Sequence, residues 1–195
     1  MELIYPPYLA DLYPRPNVEV EPQEIQPGEE MFPVVSPDGM VIGRMTRKYA
    51  HSKSMVLHPV VHLHLVNHAG EIYLQKRSMK KDLLPGYWDT AVGGHISYGE
   101  KVLEALYREA SEELGLHDFN PIPIVSYEFS SEREAELVNV YACIGEFCPQ
   151  PDMDEVDEGR WWSIKEIKAS IGKKILTPNF EGEFQKIQKQ LMALL

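Results

Sequence analysis

Glu109, Glu112 and Glu113 crowd three carboxylates onto one short segment, and no other feature limits the possible folds of this chain so sharply. The segment is predicted to be helical from about Glu100 to Leu114, where Gly115 stops it. Val102, Leu103, Leu106, Ala110 and Leu114 form its apolar stripe. At about 100° per residue, the three glutamates fall within an arc of roughly 100° bordering that stripe. Like charges at this spacing repel one another and weaken a helix. Taken alone, such a cluster reads as a solvated acidic face. The sharper reading is a cation site, because Mg²⁺ and Mn²⁺ take oxygen ligands and bind diphosphates jointly with carboxylates. Metal held there would polarise a phosphorus centre and lower the pKa of a water.

The surrounding spacing decides between the two readings. Gly94-His95-Ile96-Ser97-Tyr98-Gly99-Glu100 is followed by seven residues and then by Arg108-Glu109-Ala110-Ser111-Glu112-Glu113-Leu114-Gly115-Leu116. This stretch resembles the Nudix box, GX5EX7REUXEEXGU with U aliphatic. Gly94, Glu100, Arg108, Glu109, Ala110, Glu112, Glu113, Gly115 and Leu116 fill every specified position, Ala110 being a small occupant of an aliphatic one. The resemblance implies an α/β (α+β) fold, the Nudix α/β/α sandwich with a mixed central sheet. It also implies a divalent metal, Mg²⁺ or Mn²⁺, on Glu109, Glu112 and Glu113, with Arg108 orienting the first of them. Gly94 would let the backbone approach the metal closely. Glu100 is open between metal support and helix capping, since Ser97-Tyr98-Gly99-Glu100 also fits a capping box.

From about Phe32 to Trp162 the chain is similar to the branch that includes isopentenyl-diphosphate isomerase. The similarity runs through Lys48-Tyr49-Ala50-His51, Leu57-His58, Lys76-Arg77, Lys81, Pro85-Gly86, Trp88, Gly94-His95 and Glu134-Ala135-Glu136. It implies a second metal set of His51, His58, His95, Glu134 and Glu136, unless these are ordinary core and surface residues. It also implies that Arg77 and Lys81, with Lys76 beside them, contact the substrate diphosphate. The alternative for these three is a solvated basic loop. Two departures point away from isomerisation. Gly93 stands where the isomerase needs a cysteine, and all three box glutamates are present where the isomerase lacks two. The implied chemistry is hydrolysis of a diphosphate linkage in a small phosphorylated metabolite, a nucleoside diphosphate derivative or a related compound. The base is Glu109 or, from a neighbouring strand or loop, Glu134 or Glu136. An isomerase acting on an allylic diphosphate and a non-catalytic ligand-binding module are the competing functions, and a complete box weighs against the second.

The remaining features set bounds. With 195 residues, 44% of them hydrophobic and 25% charged, the chain fits one ordinary globular domain. A net charge of −11 argues against general nucleic-acid or anionic-membrane binding. No apolar run reaches the ~18 residues of a membrane-spanning helix, and Met1–Ala10 lacks a secretory pattern, so the cytoplasm is the expected location. Cys143 and Cys148 match no metal or redox spacing and read as reduced and inert. Residues 1–30, rich in proline and tyrosine, read as an arm on its own domain or on a partner subunit, which hints at a homodimer; a flexible leader is the alternative. Residues 31–195 form the expected Nudix domain.

Within it, Met31–Val35 and Val41–Thr46 read as a hairpin about Ser36-Pro37-Asp38-Gly39. Strands are expected at Pro59–Val66, Glu71–Arg77, Trp88–Val92, Ile122–Phe129, Leu137–Gly145 and Arg160–Ser163, and further helices at Ser163–Ala169 and Phe180–Leu194. His62, His64, His68 and His117 read as structural. Trp88, Trp161, Trp162 and Tyr87 either stack on a substrate group or pack in the core.

Overall fold

Asn67 shows how local chemistry shapes this chain. Its Oδ1 accepts from the Ala69 N–H at 3.0 Å and the Glu71 N–H at 2.9 Å. Gly70 follows at φ +77°, a conformation only glycine adopts freely. The turn reverses the chain between β3 (Leu57–Val66) and β4 (Ile72–Arg77), which pair antiparallel with Val66 opposite Ile72. The computed structural model describes residues 28–81, 83–152 and 156–195. The expected N-terminal arm lies outside these residues except for its last three.

Before β3 come β1 (Met31–Val35), β2 (Val41–Thr46) and a single helical turn, α1 (Arg47–Ala50). After β4 follow β5 (Trp88–Asp89), β6 (Val92–His95), α2 (Val102–Leu114), β7 (Ile122–Ser130), β8 (Ala135–Ile144), β9 (Val156–Trp162), α3 (Ile164–Ser170) and α4 (Pro178–Ala193). β1 and β2 form a two-stranded sheet. The other strands form a seven-stranded sheet in the order β5-β4-β3-β8-β7, with β6 beside β3 and β9 beside β4. The fold is α+β with a mixed central sheet.

Two units divide the contacts. Among the described residues, the first comprises 28–61, Gly94–Leu106 and Val125–Val140. Its small core of Phe32, Val34, Met45 and Ala50 joins the β1–β2 hairpin to α1. Burying Phe32 completely contributes about 2 kcal/mol. The second comprises His62–Gly93, Tyr107–Ile124 and Tyr141–Leu195. There α4 buries Phe180, Phe184, Ile187 and Leu191, an i, i+4, i+7, i+11 stripe. α3 starts with a full capping box between Ser163 and Glu166. α4 starts with Thr177 accepting from the Phe180 N–H and with Pro178 in the first turn.

The structure departs from the sequence expectations in identifiable places. The single strand expected over Trp88–Val92 is split into β5 and β6, because the Asp89 Oδ1 accepts from the Thr90 N–H at 2.9 Å and diverts the backbone from the ladder. Leu103 is 43% exposed although it shares the azimuth of Ala110 and Leu114; it stands in the first turn of α2, and the buried stripe runs Val102, Leu106, Ala110, Leu114. α2 begins after Glu100, whose carboxylate instead accepts from the Ser97 N–H at 2.9 Å and closes a turn in which Gly99 has φ +90°. The Glu104 carboxylate meets the Lys101 N–H at 3.1 Å just ahead of the first helical turn.

β4 and β9 pair antiparallel with Gln75 opposite Gly159 and Tyr73 opposite Trp161. A Cβ at Gly159 would fall against the Tyr73 hydroxyl and 2.6 Å from Tyr73 Cζ, so the ring would have to shift. Gly159→Ala is expected to lower stability by about 1–3 kcal/mol through overpacking, measured by urea unfolding. A Tyr73→Ala background should relieve most of that loss.

Candidate functional site

The second unit carries the box glutamates, each tied by a specific contact. On α2, Arg108 Nη1 lies 2.7 Å from Glu109 Oε1 and 3.2 Å from Glu112 Oε2. One guanidinium nitrogen thus sits between two carboxylates and relieves the repulsion that their spacing creates. The Glu109 side chain is 14% exposed and that of Glu112 60%. Glu113 is buried, and Gln75 Nε2 on β4 donates to its Oε2 at 2.8 Å. The three side chains offer only hard oxygen atoms, the donor set of Mg²⁺ or Mn²⁺ rather than of softer metals. By donor chemistry the residues fit such an ion; Glu109 and Glu112 meet on the Arg108 guanidinium, and among the described residues the three do not form a converging ligand group.

Arg77 ends β4 beside a register irregularity between Lys76 and Arg77. Its Nε donates to the Leu83 carbonyl at 3.1 Å, and its Nη1 lies 3.5 Å from Asp89 Oδ2. Asp89 is itself held, since Thr177 Oγ1 donates to its Oδ1 at 2.9 Å. The guanidinium is therefore pre-positioned, with its side chain 29% exposed. Lys76 and Lys81 are half-buried, and the Lys81 N–H closes a turn onto the Ser78 carbonyl at 3.0 Å. Trp88 and Trp162 are buried and meet edge to face at 5.1 Å, with the Arg160 guanidinium 3.8 Å from the Trp162 ring centroid. These rings serve packing.

The first unit holds a different constellation. His51 follows α1, His58 lies on β3, His95 ends β6 and Glu134 precedes β8. One ligand atom from each of the four comes within 4.8 Å of all the others. His51 Nε2 lies 3.3 Å from His95 Nε2 and 3.2 Å from Glu134 Oε2. Phe32 stacks on His95 with a centroid distance of 4.4 Å and flanks His58 at 5.6 Å. His58 Nδ1 donates to the Val56 carbonyl at 3.0 Å, which leaves the Nε2 lone pair turned toward Glu134. That Nε2 and Glu134 Oε2 are buried atoms without a hydrogen-bond partner. Burial lowers the pKa of both His51 and His58 and keeps them neutral, in spite of Glu134. Three imidazoles and a carboxylate with orphaned buried atoms fit a transition-metal ion. Glu136, half-buried on β8, is not among the four converging residues.

The sequence reading left His62 and His64 as structural and did not single out Glu183. His62 Nδ1 lies 2.8 Å from Glu183 Oε2, and His64 Nε2 lies 2.6 Å from Glu183 Oε1. Burial opposes ionisation of Glu183, but the two imidazoles outweigh it and hold the carboxyl well below its usual range. A signal for this was present. Glu183 falls on the buried stripe of α4, one residue before Phe184, and His62 and His64 share one face of β3. Both cysteines are free, and burial raises the pKa of the Cys143 thiol.

Comparison with known proteins places this geometry. The model of the NUDIX domain matches residues 56–180, well over half of the chain. An isopentenyl-diphosphate Delta-isomerase of Brevibacterium linens is 32% identical over 148 residues, covering 73% of this chain and 81% of that protein. An uncharacterised Nudix hydrolase of Yersinia pestis is 31% identical over 145 residues, covering 72% and 76%. A crystal structure from Deinococcus radiodurans superposes with a TM-score of 0.70 at 24% identity, over 80% of this chain and 98% of the other. The NUDIX domain of Shewanella oneidensis NrtR, complexed with ADP-ribose, has a TM-score of 0.55 at 16% identity, over 68% and 87%. The chain belongs to the Nudix superfamily, in its isopentenyl-diphosphate isomerase-like branch.

Proposed function

We propose that the protein is a divalent-metal-dependent hydrolase that cleaves the diphosphate linkage of a small phosphorylated metabolite, with nucleoside diphosphate derivatives as the leading class. The observation that carries this reading is the α2 array, in which Arg108 gathers Glu109 and Glu112 while Gln75 holds Glu113. Mg²⁺ or Mn²⁺, when bound by Glu109, Glu112 and Glu113, supplies electrophilic polarisation and a more acidic water. Arg108 keeps Glu109 and Glu112 from turning apart. Glu112, the most exposed of the pair it bridges, is the carboxylate that an attacking water reaches, and we assign it the water's proton. Arg77, fixed by Asp89, supplies a planar fork to phosphate oxygens, with Lys76 and Lys81 adding charge. The substrate is a soluble small molecule handled in the cytoplasm; among the described residues, no helix is long and apolar enough to cross a membrane.

The test is phosphate release from a panel of nucleoside, sugar and prenyl diphosphates with Mg²⁺ or Mn²⁺. Turnover of at least one class is expected. A folded, metal-binding protein that hydrolyses none of them would be a ligand-binding module instead.

The names of the isomerase relatives favour a second reading, catalysis on isopentenyl diphosphate. It lacks its thiol, since Gly93 offers no side chain to the reaction. Incubation with isopentenyl diphosphate is expected to yield no isomer. The His51, His58, His95 and Glu134 set we assign to a metal that stabilises its surroundings. Calorimetry with Zn²⁺ or Mn²⁺ should detect this site in Glu112→Gln and lose it by about tenfold or more in His58→Ala. Equal affinity in both variants would remove it.

A further inference from the structure

An imidazole that binds metal must hold its ring plane, because the ligand lone pair lies in that plane. The torsion that turns the ring has broad, shallow preferences of its own, so its surroundings must fix it. His58 has the Val56 carbonyl on its Nδ1 at 3.0 Å. It also shares a flat neighbour with His95. Phe32, fully buried, lies within 2° of parallel to His95 at a centroid distance of 4.4 Å, and within 12° of parallel to His58 at 5.6 Å. The two imidazoles are themselves 11° from parallel at 5.4 Å. His51 stands across them, its ring at 60° to Phe32 and 6.0 Å away. One phenyl ring thus adjoins all three imidazoles.

Phe32 is itself fixed from several sides. Met45 lies opposite it on β2, and Val34, Met45 and Ala50 complete its core. Ala50 ends α1, the turn that delivers His51. One residue before Phe32, the Met31 carbonyl accepts from the Tyr98 N–H at 2.8 Å, which ties β1 to the loop that begins at His95. At 4.4 Å the faces of Phe32 and His95 touch. His95 cannot turn out of plane without driving its edge into the phenyl ring. Filling a core needs only apolar volume, which an aliphatic side chain also supplies. Holding two imidazoles parallel needs a plane.

We infer that Phe32 is a positioning residue of the His51, His58, His95 and Glu134 set, its flat face holding His95 and His58 in the orientation that a transition-metal ion requires. The inference rests on the reading that this set holds a metal, and adds to it a residue from the β1–β2 hairpin that offers no ligand atom. It does not depend on the activity assigned to α2.

The experiment titrates Co²⁺ into the full chain, with Mg²⁺ in excess to fill the carboxylate array on α2. Calorimetry gives the affinity, and the visible absorption of bound Co²⁺ at saturation reports its coordination geometry. Phe32→Leu is expected to weaken Co²⁺ binding by about tenfold or more, the loss that follows when a residue supporting a metal ligand is removed, and to alter the absorption bands. Val34→Ala removes volume from the same core but no ring plane, and should leave affinity and bands at their wild-type values. Wild-type affinity and bands in folded Phe32→Leu overturn the inference and leave the metal assignment standing. An equal loss in Val34→Ala also overturns it, since the effect would then belong to a loosened hairpin. A folded wild type that takes up no Co²⁺ overturns the inference and the metal assignment together, while the turnover panel still judges the hydrolase reading. Thermal melts establish which variants are folded; if Phe32→Leu is not, Phe32→Met, whose flexible side chain adapts to irregular space, takes its place.

Discussion

Glu112→Gln is expected to reduce turnover of the diphosphate substrate by about 10²–10⁴-fold at saturating Mg²⁺, the range lost when a positioned proton-transfer group is removed, while thermal stability changes by less than about 0.5 kcal/mol. The asymmetry follows from where the side chain stands. Glu112 is 60% exposed, and Arg108 lies 3.2 Å from it. An exposed helical ion pair of this kind contributes only a few tenths of a kcal/mol. Substitution to the isosteric amide keeps the helix and removes the charge on which metal binding and proton acceptance both depend. Glu109→Gln should cost more stability, because its 2.7 Å contact with Arg108 is better shielded. Stopped assays of phosphate release with both variants, alongside calorimetric Mg²⁺ titrations, check the expectation. Wild-type turnover by Glu112→Gln would remove the assignment.

The second large effect concerns stability. Glu183→Ala is expected to destabilise the protein by about 3–5 kcal/mol, a fall in Tm on the order of 10 °C for a domain of this size. The alanine would remove the carboxylate that two imidazoles meet at 2.8 and 2.6 Å. Replacing His62, His64 and Glu183 together by leucine should recover most of the loss, since the buried charges then disappear along with their desolvation cost. If the triple variant were as unstable as Glu183→Ala, the deficit would lie in packing of α4 and not in stranded polar groups. The pH dependence has a definite sign. Glu183 is held below its ordinary pKa, so its contribution is complete above the usual carboxyl range and is lost as acid protonates the folded carboxylate. Urea midpoints for wild type and Glu183→Gln should therefore converge in acid and separate toward neutrality.

The route from sequence to structure differs by residue. The spacing of Gly94, Glu100, Arg108, Glu109, Glu112 and Glu113 is local, and a helix's 3.6-residue period converts it directly into a shared face. The hairpin around Ser36 and Gly39 was equally legible, because its hydrogen bonds close within four residues. The strand over Trp88–Val92 was read too simply. Its break depends on Asp89 drawing in Thr90 and Thr177, and Thr177 lies 88 positions away.

By itself, then, the sequence determined the Nudix fold, the helical carboxylate array and the absence of a thiol at position 93, since each is written in near-neighbour spacing or in a single residue identity. Tertiary structure alone decided that His51, His58, His95 and Glu134 converge while Glu136 is not among them, and that Glu183 meets His62 and His64 across 121 and 119 residues. Such contacts are set by which buried faces pack together, and packing selects partners by shape and burial irrespective of their separation along the chain.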